Sequence, residues 1–316
     1  MIEILVALAL ILLILFLASY FAFVYTFKRR RVEINPYLNL DGEDAKGEKA
    51  FSRKLIDDFT ALIPSEEIYI EARDKTKLRA RFYKTDESAP IEIAMHGYRS
   101  LGVRDFSGGG LECLSRGHNL LLIDSRAHGK SEGKVITFGI LERYDVVAWA
   151  DYLAKRYPKN KIILAGISMG AASVLMASSL PLPKNVVGVV ADCPYSAPCE
   201  IIRKVTRDMK LPVFLIYPLL RLGGKLFGRF DIEAASPVEA VKKSALPILL
   251  IHGEADSFVP FYMSEKIKDA GVGIRLEAFP EANHGLSYIK DCERYRRVTN
   301  EFIKEILEKG ENINED

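Results

Sequence analysis

From Ile4 to Phe27 the chain runs through 24 residues without a charge, most of them Leu, Ile, Phe, Val and Ala. As a helix rising about 1.5 Å per residue the run is about 36 Å long, enough to cross a hydrocarbon core of about 30 Å with some tilt. Tyr20 and Tyr25 stand near one end, where interfacial aromatics collect. A buried core helix rarely goes so far without a charge. A cleaved signal peptide opens on a positive segment, whereas the only early charges here are the amino terminus and Glu3. The run therefore predicts a single membrane anchor. Lys28-Arg29-Arg30-Arg31 follows at once, and the positive-inside rule expects this flank, with everything after it, on the cytoplasmic side; the extracellular face is the alternative.

Beyond residues 1–31 the pattern changes twice. Residues 32–65 are mixed and charged, with turn signals at Asn35-Pro36 and Asp41-Gly42. Phe51, Leu55, Ile56, Phe59 and Leu62 then recur at helical spacing, which predicts a linker ending in a packing helix. From Glu67 two alternating runs, Ile68–Ala72 and Leu78–Tyr83, flank Asp74-Lys75 and read as an antiparallel pair. Six short apolar runs follow, Ile91–Met95, Leu120–Ile123, Ile162–Ala165, Val186–Ala191, Ile248–Ile251 and Ile274–Phe279. Amphipathic stretches at 105–116, 139–156, 169–179, 258–270 and 288–309 fit between or after them as helices. Strands alternating with helices predict an α/β fold over residues 66–316. Its sheet is mostly parallel and eight-stranded, covered on both faces, and in such sheets sites form beyond the C-terminal strand ends.

Composition narrows the function. Hydrophobic content of 49% and charged content of 27% suit a chain with a sizeable core, and a net charge of +2 without basic patches interleaved with aromatics gives no reason to expect nucleic acid. Cys113, Cys193, Cys199 and Cys292 form no CxxC pair and no Cys/His spacing, so neither a disulfide framework nor a metal is expected.

The strand ends carry the chemistry. His96-Gly97-Tyr98-Arg99-Ser100 follows the third strand, Asp124-Ser125-Arg126-Ala127-His128-Gly129-Lys130-Ser131 the fourth, and Gly166-Ile167-Ser168-Met169-Gly170 the fifth. Gly-x-Ser-x-Gly between a strand and a helix predicts a tight elbow that presents the Ser168 hydroxyl, with the Met169 N–H at a helix N-terminus ready to donate to an oxyanion. His252-Gly253-Glu254-Ala255-Asp256 and Glu281-Ala282-Asn283-His284-Gly285 end the last two strands. A serine, an acid and a histidine thus follow one another along one sheet edge. The acid is Asp256, with Asp192 and Asp124 as rivals; of the other histidines, His252 reads as a structural group at a strand end and His118 as a surface residue.

These motifs together (HGY, DSRAHGKS, GISMG, HGEAD and NHG) make residues 66–309 similar to the α/β-hydrolase superfamily. Within it the chain resembles membrane-anchored bacterial serine hydrolases near the monoacylglycerol-lipase and serine-aminopeptidase-like branch. The resemblance implies Ser168 as nucleophile, His284 as base, Asp256 as acid, and the N–H groups of Tyr98 and Met169 as oxyanion donors. It implies no cofactor and no metal, a small-molecule ester with acyl or lipid-like substrates favoured, and a cap inserted at about 193–245. Peptidase or amidase activity is the alternative within the enzymes, and a non-catalytic anchored binding protein the alternative outside them. His96 and, from the apolar cap run Leu211–Leu220, Phe214 and Tyr217 are the candidate pocket residues.

Overall fold

The computed structural model describes residues 1–30 and 45–312. Arg31 and the turn signals at Asn35-Pro36 and Asp41-Gly42 lie outside the described residues. The first element, α1 (Ile2–Phe27), is the apolar helix. After α2 (Ala45–Ala61) the hairpin of β1 (Glu66–Glu71) and β2 (Lys77–Tyr83) leads to β3 (Ile91–Met95). Two short helices, α3 (Gly102–Asp105) and α4 (Ser107–Ser115), precede β4 (Asn119–Asp124). Then come α5 (Glu142–Arg156), β5 (Ile162–Ile167), α6 (Met169–Ala177) and β6 (Val186–Asp192). The cap holds α7 (Pro198–Asp208), α8 (Val213–Gly223), a π-helical turn over Gly224–Gly228, and α9 (Pro237–Val241). The chain closes with β7 (Ile248–Gly253), α10 (Tyr262–Ala270), β8 (Ile274–Phe279), α11 (Ser287–Lys290) and α12 (Cys292–Asn312).

The eight strands form one sheet in the order β1-β2-β4-β3-β5-β6-β7-β8. β1 and β2 are antiparallel to their neighbours and the rest run parallel. Successive side chains point to opposite faces, and helices cover both, so β3, β4 and β7 are buried at every position. Ile91, Ile93 and Met95 pack with Trp149 of α5 and Leu175 of α6 on one face. On the other, Ala94, Leu120 and Leu122 pack with Phe59 of α2 and Cys113 of α4, and Leu249 and Ile251 with Phe302 and Ile306 of α12. Glu92 points to that second face and is buried, held by Arg116 at 2.9 Å and His118 at 2.8 Å. His118 is thus not a surface residue: the charge buried at Glu92 needs partners, and it draws His118 inside.

The apolar helix α1 is built into the domain at its C-terminal end. Most of α1 is exposed, but Ser19, Phe23 and Phe27 are buried. Ser19 Oγ donates to Leu219 O of α8 at 2.8 Å, and Phe27 packs edge-on against Phe138 and Phe230 at 5.8 and 5.2 Å. Beyond the helix the chain bridges to Val135, with Ile136 N–H donating to Phe27 O and Arg29 N–H to Lys134 O.

Candidate active site

Ser168 sits between β5 and α6 with φ 55° and ψ −114°, a left-handed-side backbone that a non-glycine residue adopts only under constraint. The constraint is space. A Cβ at Gly166 would run into the backbone of Gly170 and Ala171, and one at Gly170 into the Met95 carbonyl, so the turn closes only with glycine on both sides. The Ser168 N–H donates to Asp192 O at 2.8 Å, which ties the elbow to β6. Met169 opens α6, where its N–H is among those no intrahelical carbonyl reaches.

The loops after β7 and β8 bring their residues to the same point. His284 Nε2 lies 2.9 Å from Ser168 Oγ and its Nδ1 lies 2.7 Å from Asp256 Oδ2. A carboxylate only accepts, so Nδ1 carries the proton and Nε2 is left to accept from the serine hydroxyl. Asp256 Oδ1 accepts from the N–H groups of Phe258 and Val259 at 2.9 and 2.7 Å. Burial pushes this carboxyl up, but hydrogen bonds from His252 and His284 outweigh burial and hold it down at about 2. His252 is fully buried: Nε2 faces Val259 O at 2.8 Å and Asp256 Oδ2 at 3.2 Å, and Nδ1 faces Ser264 Oγ at 2.6 Å. It is a second histidine on the same carboxylate, more than the structural strand-end group its position suggested. Asp192, the rival acid, touches the elbow through its backbone; burial pushes its carboxyl up to about 7, and Oδ1 has no hydrogen-bond partner. Asp124 lies away from this group, bound to Arg79 and the Lys130 N–H.

The HGYRS loop after β3 is stitched in place by two imidazoles. His96 is fully buried, with Nδ1 donating to Gly97 O at 2.8 Å and Nε2 accepting from Ser125 N–H at 3.1 Å. His128 packs edge-on at 4.8 Å, its Nδ1 donating to Arg126 O and its Nε2 accepting from Arg99 N–H at 3.0 Å. Burial depresses both, His128 to about 3, which keeps the rings neutral acceptors. Asp105 takes the Gly97 N–H at 2.8 Å and the Ser100 hydroxyl at 2.5 Å. The Tyr98 side chain turns from the elbow toward α1, where its hydroxyl donates to Thr26 O at 2.7 Å, and Arg99 Nη2 donates to Tyr25 O at 2.6 Å.

A cavity of about 360 Å³ opens beside Ser168 and His284. Its wall is made by Leu55 of α2, Phe106 and Gly109 of the α3–α4 corner, and Leu286 and Ile289 around α11, with Tyr98, Asp192 and Phe258. The expectation that His96, Phe214 and Tyr217 line the pocket is corrected. His96 is spent on backbone hydrogen bonds beneath the loop. Phe214 is 84% exposed, and Tyr217 is buried with its hydroxyl on Glu233 Oε1 at 2.6 Å and Arg203 over its ring. The pocket lies against the α2, α4 and α11 face, not under the cap. Sequence reasoning missed most of its lining because the wall is drawn from segments scattered from Ser52 to Tyr295. The Gly108-Gly109-Gly110 run was the available signal, since glycines here let Tyr288 close over α4.

Cys193, Asp256 and His284 could offer ligand atoms within 4.8 Å of one another. Asp256 and His284 are already committed to each other and to Ser168, so the geometry favours proton transfer over metal binding.

Comparison with known proteins agrees with this architecture. Residues 96–210 match the α/β-hydrolase fold family and residues 224–310 the prolyl oligopeptidase family. YqkD of Bacillus subtilis (strain 168) is 28% identical over 193 residues, 60% of this chain and 63% of that protein, so the match spans less than two thirds of the relative. YfhR of Escherichia coli (strain K12) is 24% identical over 227 residues, 70% of this chain and 73% of the relative. A Pyrococcus furiosus esterase superposes with a TM-score of 0.64 at 25% identity, covering 88% of this chain and 97% of its own. Est1E from Butyrivibrio proteoclasticus, with ferulic acid bound, shares the fold at a TM-score of 0.59 and 21% identity over 76% of this chain and 98% of its own. With its sheet order, its serine elbow after β5 and these matches, the chain has the fold of the α/β-hydrolase superfamily.

Proposed function

We propose that the protein is a membrane-anchored serine hydrolase of carboxylic esters. The observation that carries the reading is the hydrogen-bonded chain Ser168–His284–Asp256 at the wall of a cavity with room for a small acyl group. In this reading His284 takes the Ser168 proton as Oγ attacks the carbonyl carbon, then delivers it to the departing alcohol. Asp256 keeps Nδ1 protonated and stabilises the imidazolium. The N–H groups of Met169 and Tyr98 receive the oxyanion, each donor being worth about 2.7–4 kcal/mol in such sites. Water then attacks the acyl-enzyme with His284 again as base. α1 holds the domain to the membrane on its cytoplasmic face.

The test is hydrolysis of p-nitrophenyl esters, acetate to palmitate, by the full chain in detergent. Turnover should peak at a short-to-medium chain and fall at least a thousand-fold in Ser168→Ala, since loss of a triad serine costs up to about a million-fold in kcat elsewhere. Turnover surviving that substitution would sink the assignment. A second reading, amide or peptide hydrolysis by the same residues, is favoured by the prolyl oligopeptidase family match over 224–310. Cleavage of aminoacyl anilides in place of esters would select it. Failure of both, with no labelling of Ser168 by a fluorophosphonate, would leave a binding protein.

A further inference from the structure

α8 is apolar at every position but Arg221, which is turned to Asp231 and Glu233 in ion pairs. Its inner residues Tyr217 and Leu220 are buried, while Phe214, Leu215 and Leu222 are 84, 49 and 41% exposed. Leu211 before it and Leu226 after it extend the same outward stripe. An outward apolar stripe of this size is covered either by protein or by lipid, and at 11 residues the helix is too short to span a bilayer.

What borders the stripe decides between the two. Gly223 lies so close to α1 that a Cβ there would sit 2.7 Å from Ser19 O and 2.8 Å from Phe23 Cβ. Phe227 packs against Phe16, Tyr20 and Phe23 of α1 at 5.2, 5.2 and 5.7 Å. Phe16 is 11 residues short of the end of α1, about 16 Å back along its axis. A hydrocarbon core of about 30 Å takes up about 20 residues, so a span beginning at Ile2 is still inside it at Phe16. The cap reaches that depth. Exposed cations flank the stripe along the chain, Arg207 and Lys210 before it, with Asp208 between them paired to Lys204, and Arg229 after it, as in helices that lie at an anionic headgroup boundary.

We propose that α8 with Leu211 and Leu226 is a membrane-inserted face of the cap, lying in the headgroup–acyl boundary of the same bilayer that α1 spans. The anchor is then one of two lipid contacts. Together they hold the domain in one orientation on the membrane, where a lone helix would leave it free to swivel. The inference rests on the membrane-anchor reading, and the experiment separates the two.

The full chain is reconstituted into phosphatidylcholine–phosphatidylglycerol vesicles carrying brominated acyl chains, which quench tryptophan only within the hydrocarbon region. Trp149 is fully buried in the core and sets the background. Leu12→Trp reports the anchor, Phe214→Trp and Leu222→Trp the cap, and Tyr69→Trp the far edge of the sheet. The expected result is loss of most of the added emission at Leu12, Phe214 and Leu222, with little acrylamide quenching there, and the reverse at Tyr69. If Leu12→Trp is quenched by lipid while both cap reporters behave like Tyr69→Trp, the cap faces water and the proposal falls while the anchor stands. Cap reporters shielded from both quenchers would mean that protein covers the stripe, which also overturns it. If Leu12→Trp is itself untouched, the anchor reading fails and the proposal with it.

Discussion

At the residue scale the site depends on groups that never meet substrate. His96 and His128 are neutral acceptors under the HGYRS loop, and burial holds His128 at about 3 against an ordinary value near 6.5. A histidine depressed on folding contributes stability above pH 6.5 that is lost as pH falls from 6.5 toward 3, at about 1.4 kcal/mol per pH unit. Asp192 acts in the opposite sense, because a carboxyl raised to about 7 favours the folded state as pH falls from 7 toward 4. The wild-type profile mixes the two, so the comparison that isolates His128 is against His128→Gln, which keeps an acceptor for Arg99 N–H. The variant should be less stable at pH 8, and the gap in urea unfolding free energy should shrink by about 1.4 kcal/mol per unit below pH 6.5. A constant gap would mean that His128 takes up its proton in the fold as readily as in the unfolded chain. In the pocket, Leu55→Trp should cost the longest accepted ester about ten-fold or more in kcat/KM while acetate is spared, whereas Phe214→Ala should leave the chain-length profile unchanged. Ser168, Asp256 and His284 were readable because each follows a strand at one sheet edge; the lining was not, because Leu55 lies more than a hundred residues from Ser168.

Among the elements, every strand was legible to within about two residues, the central ones from apolar runs buried on both faces and the β1–β2 pair from alternation. The helices were legible where their faces are unequal, as in α12. Two features escaped. The helix expected at 105–116 is α4, but a separate short helix, α3, precedes it across a break at Phe106, where the chain bends to pass Asp105 back under the HGYRS loop. The docking of α1 on the cap was invisible because hydropathy cannot tell a lipid neighbour from a protein one. It has a measurable consequence. Phe27 is fully buried between Phe138 and Phe230, so Phe27→Ala should cost about 3–5 kcal/mol in detergent-solubilised protein, as for other buried aromatics. Phe21→Ala, on the exposed side of the same helix, should cost little. Equal small effects on denaturant midpoints would show α1 to be a loose tether. A chain cut at residue 32 would lose Phe23 and Phe27 together and open the cap groove, so it would be a poor substitute for the full protein.

For the whole molecule, the fixed junction between α1 and the domain makes topology a single choice: the domain goes where Lys28 goes. Three of the four cations after the span are described, and they differ in what they do. The Arg29 guanidinium is held by Ser131 O at 2.8 Å and Gly129 O at 2.6 Å, so it serves the fold. Lys28 joins the domain through its backbone, and Arg30 leans on Tyr25, so their charges remain for topology. On the membrane-anchor reading, the positive-inside rule puts this basic flank, and the domain with it, on the cytoplasmic side. Proteinase K added to intact spheroplasts should therefore spare the domain and digest it after lysis. Lys28→Gln with Arg30→Gln and two lysines added before Ile2 should turn a measurable share of the chains over, because orientation follows the charge difference across the span. Arg29 is left in place in that variant so that a loss of folding is not mistaken for inversion. Digestion of the wild-type domain in intact spheroplasts would reverse the assignment, and would mean that the basic flank is kept for its hold on Gly129 and Ser131 alone.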